Sequence, residues 1–411
     1  MSKNKNSKYT FLIPNMAPIH FGLLKEVFVN YGYNAVLLEN QGANVVNAGL
    51  KYVHNDICYP AQLVIGQFLD ALQTGRYDAD HTALFITQTG GGCRASNYYF
   101  LLKKALNRAG YSKVPVISLT LKRNVSGEKK PFHLTPFMIL QAAAGLIYGD
   151  MLMVLSNQIR PYEKNKGETD KMVRKWMDIL GEKFRKNHGY IGTAMKGVMQ
   201  SIAHDFSQIE KRDVKKLKVG IVGEIYMKYS PLGNNSLQDF LESEGCEVMI
   251  PPMMGFLLYG FENPEKDHQY YGKSKITSRA SKLLVMDLEN IEKRMLNAMR
   301  AEGNLTIPST YRETKNQASD LLDYGVKMGE GWLLAAEMND LALTGYSNIV
   351  CAQPFGCLPN HIVAKGMVRR VSEKTDANIV AVDYDPSSTV VNQQNRIKLM
   401  LAIAKEKQQG N

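Results

Sequence analysis

Cysteine is scarce in this chain, with five residues in 411 and no C-x-x-C pair among them. So low and odd a count excludes a disulfide framework. It also removes the paired motif on which most structural zinc sites are built. The GxxxxGK[ST] spacing of a nucleotide-binding P-loop is missing as well. No run approaches the roughly 18 apolar residues that a membrane span needs. The run behind the basic N-terminus, Phe11-Leu12-Ile13, is too short for a signal-peptide core. The cytoplasm is the expected location, and no membrane is expected as a partner. The sequence shows no internal repeat and no low-complexity tract.

The content that remains is ordinary for a globular protein, with 45% hydrophobic and 22% charged residues. The length suits two or three domains with well-buried cores. A net charge of +11 raises the question of nucleic acid. The basic residues are scattered in short pairs, Lys103-Lys104, Lys129-Lys130, Lys211-Arg212 and Lys215-Lys216, with no interleaved aromatics. No nucleic-acid partner is expected. The surplus reads as a solvated basic surface, or as a docking face for an acidic protein or a phosphorylated ligand.

Strand and helix signals alternate along the chain. Strands are expected at Lys8 to Pro14, Ala35 to Leu38, Thr82 to Thr87 and Val114 to Leu119, with helices at His20 to Tyr31, Pro60 to Thr74 and Ser96 to Ala109. After a long helical stretch the pattern returns, with strands at Lys218 to Val222, Cys246 to Ile250, Ile349 to Cys351 and Asn378 to Val382. The helix Ser236 to Glu244 follows a loop, 256–300 is helical, and helices lie at His361 to Val371 and Val390 to Lys407. This predicts an α/β protein of two to three doubly wound parallel-sheet units with helical insertions. The expected divisions are an N-terminal α/β domain over 1–135, a helical connector over 136–213 and C-terminal α/β structure over 214–411.

Three of the cysteines stand in loops rich in glycine or proline. Cys58 lies in Asn55-Asp56-Ile57-Cys58-Tyr59-Pro60, Cys93 in Gly90-Gly91-Gly92-Cys93-Arg94, and Cys357 in Pro354-Phe355-Gly356-Cys357-Leu358-Pro359. Each reads as a corner between an apolar, strand-like run and a helix. In parallel sheets such corners gather at the carboxyl ends of the strands, where ligands bind. Three thiolates there can hold an iron–sulfur cluster and leave one iron open. A helix starting at Pro60 would lower the Cys58 thiol pKa. The N–H groups of Gly90, Gly91 and Gly92, with Arg94, suit contact with cluster sulfides or an anion. Cys351 reads as a strand residue and Cys246 as core. A zinc site using His54 or His361 is the metal alternative. Glu224 and Lys228 follow a strand and are candidates for proton transfer, against helix capping and surface salt links. Glu330, between Gly329 and Gly331, would line the same cleft or close a turn.

The segments NDICYPAQLVIGQ, TQTGGGCRASNYYFLLKKAL, GEIYMKYSPLGNNSLQDFL, GEGWLLAAEM and QPFGCLPNHIVAKGM carry a family likeness. Together they resemble the C-terminal part of the large acyl-CoA dehydratase activase-like proteins. That part is similar to 2-hydroxyacyl-CoA dehydratase subunits and to double-cubane cluster proteins. The resemblance spans most of the chain and implies flavodoxin- or Rossmann-like units. It implies that Cys58, Cys93 and Cys357 hold a [4Fe-4S] cluster or part of an [8Fe-9S] double cubane, with Cys351 the first substitute. It implies an oxygen-sensitive dimer of like subunits, fed electrons by an actin-like ATPase activase with its own [4Fe-4S] cluster. The activity implied is reduction of a small substrate. The alternatives are a subunit of a radical (R)-2-hydroxyacyl-CoA dehydratase acting on an acyl-CoA, or an electron-relay scaffold. The large relatives carry the ATPase on the same chain; here no nucleotide-binding motif appears, so a separate ATPase is expected.

Overall fold

The apolar runs along the chain form two four-stranded sheets, all parallel and covered by helices. A computed structural model describes residues 8–54, 56–88, 92–119, 132 and 134–409. The first sheet contains β1 (Thr10–Pro14), β2 (Asn34–Leu38), β3 (Thr82–Thr87) and β4 (Val116–Leu119), in the order β2-β1-β3-β4. The second contains β5 (Leu217–Gly223), β6 (Cys246–Met249), β7 (Asn348–Pro354) and β8 (Asn378–Tyr384), in the order β6-β5-β7-β8. Thus each sheet runs second, first, third, fourth, a structural repeat with no counterpart in the sequence. Strands such as Leu217–Gly223 and Asn348–Pro354 are buried almost throughout, as central parallel strands must be. In this order the chain reverses direction between the first and third strands, and the crevice beyond their carboxyl ends is the expected ligand position.

Between the sheets run the helices Pro136–Ile159, Glu168–Arg185 and Gly192–Ser207. Pro136–Ile159 corrects the expectation that no segment approaches a membrane span. Gly, Ser, Asn and Gln residues interrupt its apolar run, yet its mean hydropathy reaches 1.7 over an 18-residue window. That window is 72% buried inside the protein, so its apolar surface is spent on internal packing. The helix packs on the helix Pro18–Asn30 of the first sheet and on β6 of the second. Its Asp150 is fully buried and accepts hydrogen bonds from the backbone N–H groups of Met253 (2.6 Å) and Met254 (2.8 Å). The Asp150 carboxylate also lies 2.9 Å from His20 Nε2. One acidic side chain therefore caps the helix Met253–Tyr271, whose N-cap Pro252 supplies no side-chain bond. It also joins that helix to the first sheet's helix.

Two local expectations fail. Cys58 does not follow a strand, because the helix Ala43–Tyr52 precedes it. Val45, Ala48 and Gly49 are its buried residues, and that three-to-four-residue spacing outweighs the strand preference of Val45-Val46. The loop expected after β5 contains two short helices, Ile225–Tyr229 and Pro231–Asn234, capped by Glu224 and Ser230.

The Cys58 corner is held by close helix packing. A Cβ on Gly66 would stand 2.1 Å from the Val45 carbonyl oxygen, and one on Gly49 would stand 2.4 Å from that of Gln62. The helices Ala43–Tyr52 and Tyr59–Gln73 thus meet backbone to backbone. Gly66→Ala is expected to destabilise the protein by about 1–3 kcal/mol through overpacking, despite alanine's better helix propensity. A lowered urea midpoint would show it; an unchanged or raised midpoint would mean that the helices separate freely.

Candidate metal centre

Three loops meet at one place. β7 ends at Pro354, and the next carbonyl, that of Phe355, accepts a hydrogen bond from the Tyr59 N–H at 2.9 Å. Gly356 follows with φ +72°. A Cβ there would stand 3.1 Å from Cys58 Cα and from the Ile57 carbonyl oxygen. Only glycine suits both this left-handed backbone and this approach. The Cys357 loop therefore lies directly on the Cys58 loop. The Cys93 loop follows β3 and joins the same group. The Arg94 guanidinium donates to the Asp56 carbonyl oxygen, and the Tyr98 hydroxyl lies 3.1 Å from Cys58 Sγ. Arg94 is exposed and acts as a tie between loops. Gly92 lies against Met328, since a Cβ would stand 2.7 Å from its sulfur. Gly90 and Gly91 lie outside the described residues.

Each of the three thiols has a hydrogen-bonding neighbour. Cys58 Sγ has the Tyr98 hydroxyl, Cys93 Sγ accepts from the Ala95 N–H at 3.5 Å, and Cys357 Sγ accepts from Asn360 Nδ2 at 3.4 Å. Cys58 and Cys357 are buried, while Cys93 is half-buried. Burial pushes all three thiols up, Cys93 to about 12. For Cys58 this reverses the expected lowering, because desolvation outweighs the Tyr98 hydroxyl and the helix N-terminus.

Two carboxylates complete the group. Glu224 caps the helix Ile225–Tyr229, accepting from the Met227 N–H at 3.0 Å, and Glu330 accepts from the Ile225 N–H at 2.9 Å. Both act electrostatically on Cys93 and Cys357. Burial raises the pKa of each, and for Glu224 the Glu330 charge raises it further. Glu224 is half-buried. Its capping bond is the one expected as the alternative to proton transfer. Glu330 meets the same helix N-terminus.

Lys228 has a different place from the one expected of a proton carrier. Its ammonium donates to both carboxylate oxygens of Glu337, at 2.7 and 2.9 Å, and both side chains are almost fully buried. This is an internal ion pair rather than a surface link, and Lys228 reaches Glu224 and Glu330 only through its charge.

Cys351 and Cys246 lie inside strands β7 and β6 and are completely buried. The electrostatic neighbours of Cys351 are Asp383, Glu337 and Lys365, not the other three thiols. His54 is exposed, with Nε2 3.1 Å from Lys104 Nζ. Among the described residues no three His, Cys, Asp or Glu side chains are grouped to hold one metal ion. A single zinc ion requires such a group around one point. A polynuclear cluster gives each ligand its own metal atom, so its thiolates need not meet at a point. Tyr98 and Asn360 are the neighbours that sequence reasoning did not single out; one lies five residues after Cys93 and the other three after Cys357. No protein-family model matches this chain, and no curated protein matches it either.

Proposed function

We propose that this chain is the cluster-bearing subunit of an iron–sulfur redox enzyme. Cys58, Cys93 and Cys357 are its ligands, to a [4Fe-4S] cluster or to part of an [8Fe-9S] double cubane. The observation that carries this reading is the convergence of three thiols from separate loops, tied by the Tyr59–Phe355 and Arg94–Asp56 hydrogen bonds. The donor set fits the group. Thiols held neutral by burial give up their protons when a metal supplies the compensating charge, and each sulfur here has one neighbour able to donate to it. When bound, such a cluster supplies one-electron chemistry at low potential.

The chain's own residues hold the ligands in place and bury two of them, Cys58 and Cys357. Desolvation raises the pKa of Glu224 and of Glu330, so both hold a proton more firmly than free carboxyls do, a direction that suits proton delivery to a small substrate. The electron source in this reading is a separate actin-like ATPase activase with its own [4Fe-4S] cluster, docked on the basic surface in the cytoplasm. The working unit is a homodimer.

The test is iron and acid-labile sulfide on protein purified without oxygen. About eight irons with nine sulfides per dimer would indicate a double cubane and an ATP-dependent reductase. About four of each per subunit would indicate separate cubanes and bring forward the radical dehydratase acting on an acyl-CoA. Colourless, iron-free protein overturns the proposal.

A further inference from the structure

The hydrogen bonds to the sulfurs come from three different kinds of donor. At Cys93 it is a backbone N–H, fixed by the turn Arg94–Asn97. The other two are side chains, and the fold places both with care. Tyr98 opens the helix Tyr98–Arg108, so the segment that carries Cys93 also delivers a hydroxyl to Cys58 on another loop. Asn360 begins the π-helical turn Asn360–Ala364 and is completely buried. Such turns are rare and are frequent at functional sites.

The surroundings of Asn360 are those of a residue kept for one bond. The carbonyl oxygen of Asn360 accepts from Gln353 Nε2 at 3.4 Å, which ties the turn to β7. Its Oδ1 is buried without a partner among the described residues, while its Nδ2 faces Cys357 Sγ. A buried amide oxygen left unpaired costs about 1–3 kcal/mol. Leucine would fill similar space without that cost. The carboxamide repays its burial only if the N–H···S contact becomes a charge-assisted bond to a thiolate, which is roughly twice as strong as a neutral one. A thiolate ligand can only accept, so the Tyr98 hydroxyl is then the donor to Cys58.

We propose that Tyr98 and Asn360 are positioning residues that raise the reduction potential of the group held by Cys58 and Cys357, by donating hydrogen bonds to the ligand sulfurs. The inference rests on the proposed function. A donor to a ligand sulfur draws electron density from it and favours the reduced, more negative state.

The experiment compares Tyr98→Phe, Asn360→Leu and the double variant with unmutated protein, and uses Phe100→Leu, at an exposed neighbouring position, as the control. Iron per subunit is measured first, and the midpoint potential is then read by redox titration followed by electron paramagnetic resonance. Expected are full iron in every variant and a potential lowered in each single variant. The shift corresponds to a roughly tenfold change in the ratio of reduced to oxidised protein, about 59 mV for a one-electron couple. The double variant moves further, and Phe100→Leu does not move. Full iron with unchanged potentials would overturn the inference and leave the proposed function standing. Loss of iron from Tyr98→Phe would make Tyr98 an assembly residue and would also overturn it. An unmutated protein without iron would fail the underlying reading itself. Tyr98→Phe removes a single oxygen atom, so the test stands even where Asn360→Leu does not fold.

Discussion

Cys93→Ala protein, purified without oxygen, is expected to lose most of its iron, more than about tenfold relative to the unmutated chain. Cys93 is the most informative of the three thiols because it is only half-buried and packs least into the core. Its removal opens little cavity, so the fold should survive and the loss of iron will not be a by-product of unfolding. Cys58 and Cys357 are buried, and their loops lie against each other. Substitution at either would mix ligand loss with packing loss. Cys351→Ala is the matching control. Its thiol is sealed inside β7, 4.0 Å from the Gln353 amide, and its loss should cost stability without removing iron. Iron retained in full by Cys93→Ala would sink the three-cysteine assignment. Iron lost from Cys351→Ala, in folded protein, would transfer the third ligand to that strand.

Lys228→Met is expected to destabilise the metal-free protein by about 3–5 kcal/mol, because it leaves the Glu337 carboxylate buried without its cation. The pair is closed on both sides, with 2% and 3% of the side-chain surfaces exposed, and both carboxylate oxygens are engaged. Burial already raises the Glu337 pKa, and Lys228 is what opposes that rise. The double variant Lys228→Met/Glu337→Leu should recover most of the loss, since a buried pair replaced by apolar groups is often close to neutral. Urea midpoints of the four proteins form the cycle that measures the coupling. A single-variant loss below about 1 kcal/mol would mean that water reaches the pair. The same substitution carries a second effect at Glu224 and Glu330. The Lys228 charge lowers the pKa of Glu224 and of Glu330, so its loss should make both carboxyls hold their protons more firmly.

The strands were legible because apolar runs such as Thr82–Thr87, bounded by polar or glycine-rich residues, leave few other conformations. The thiol loops were legible for a related reason, since a cysteine flanked by glycine and proline marks a backbone under geometric demand. What escaped sequence reasoning depends on distance in space. The helix Ala43–Tyr52 contains the pair Val45-Val46, which reads as a strand until its glycine contact with Gly66 is known. The stretch between β5 and Ser236 reads as a loop, yet Pro231 sits at a helix start and Gly233 donates to the Ser230 cap. The raised Cys58 pKa follows from burial at a corner against which the Gly356 loop packs, a contact that local sequence does not contain. The partner of Lys228 lies 109 positions away, beyond the reach of any spacing rule. Tyr98 and Asn360 carry no signature as donors until the loops they serve have been brought together.

The backbone bond between Tyr59 and Phe355 has a consequence for how the protein is made. A ribosome releases the chain from its N-terminus, so the segments bearing Cys58 and Cys93 emerge long before β7 has been synthesised. A nascent or prematurely terminated chain therefore presents two thiols and no third. The complete ligand set arises only when the second sheet has formed and its loop has seated on the first. If the three thiols hold a cluster as proposed, its capture would be deferred to the finished chain, and truncated products would be left without a complete site in which iron could lodge.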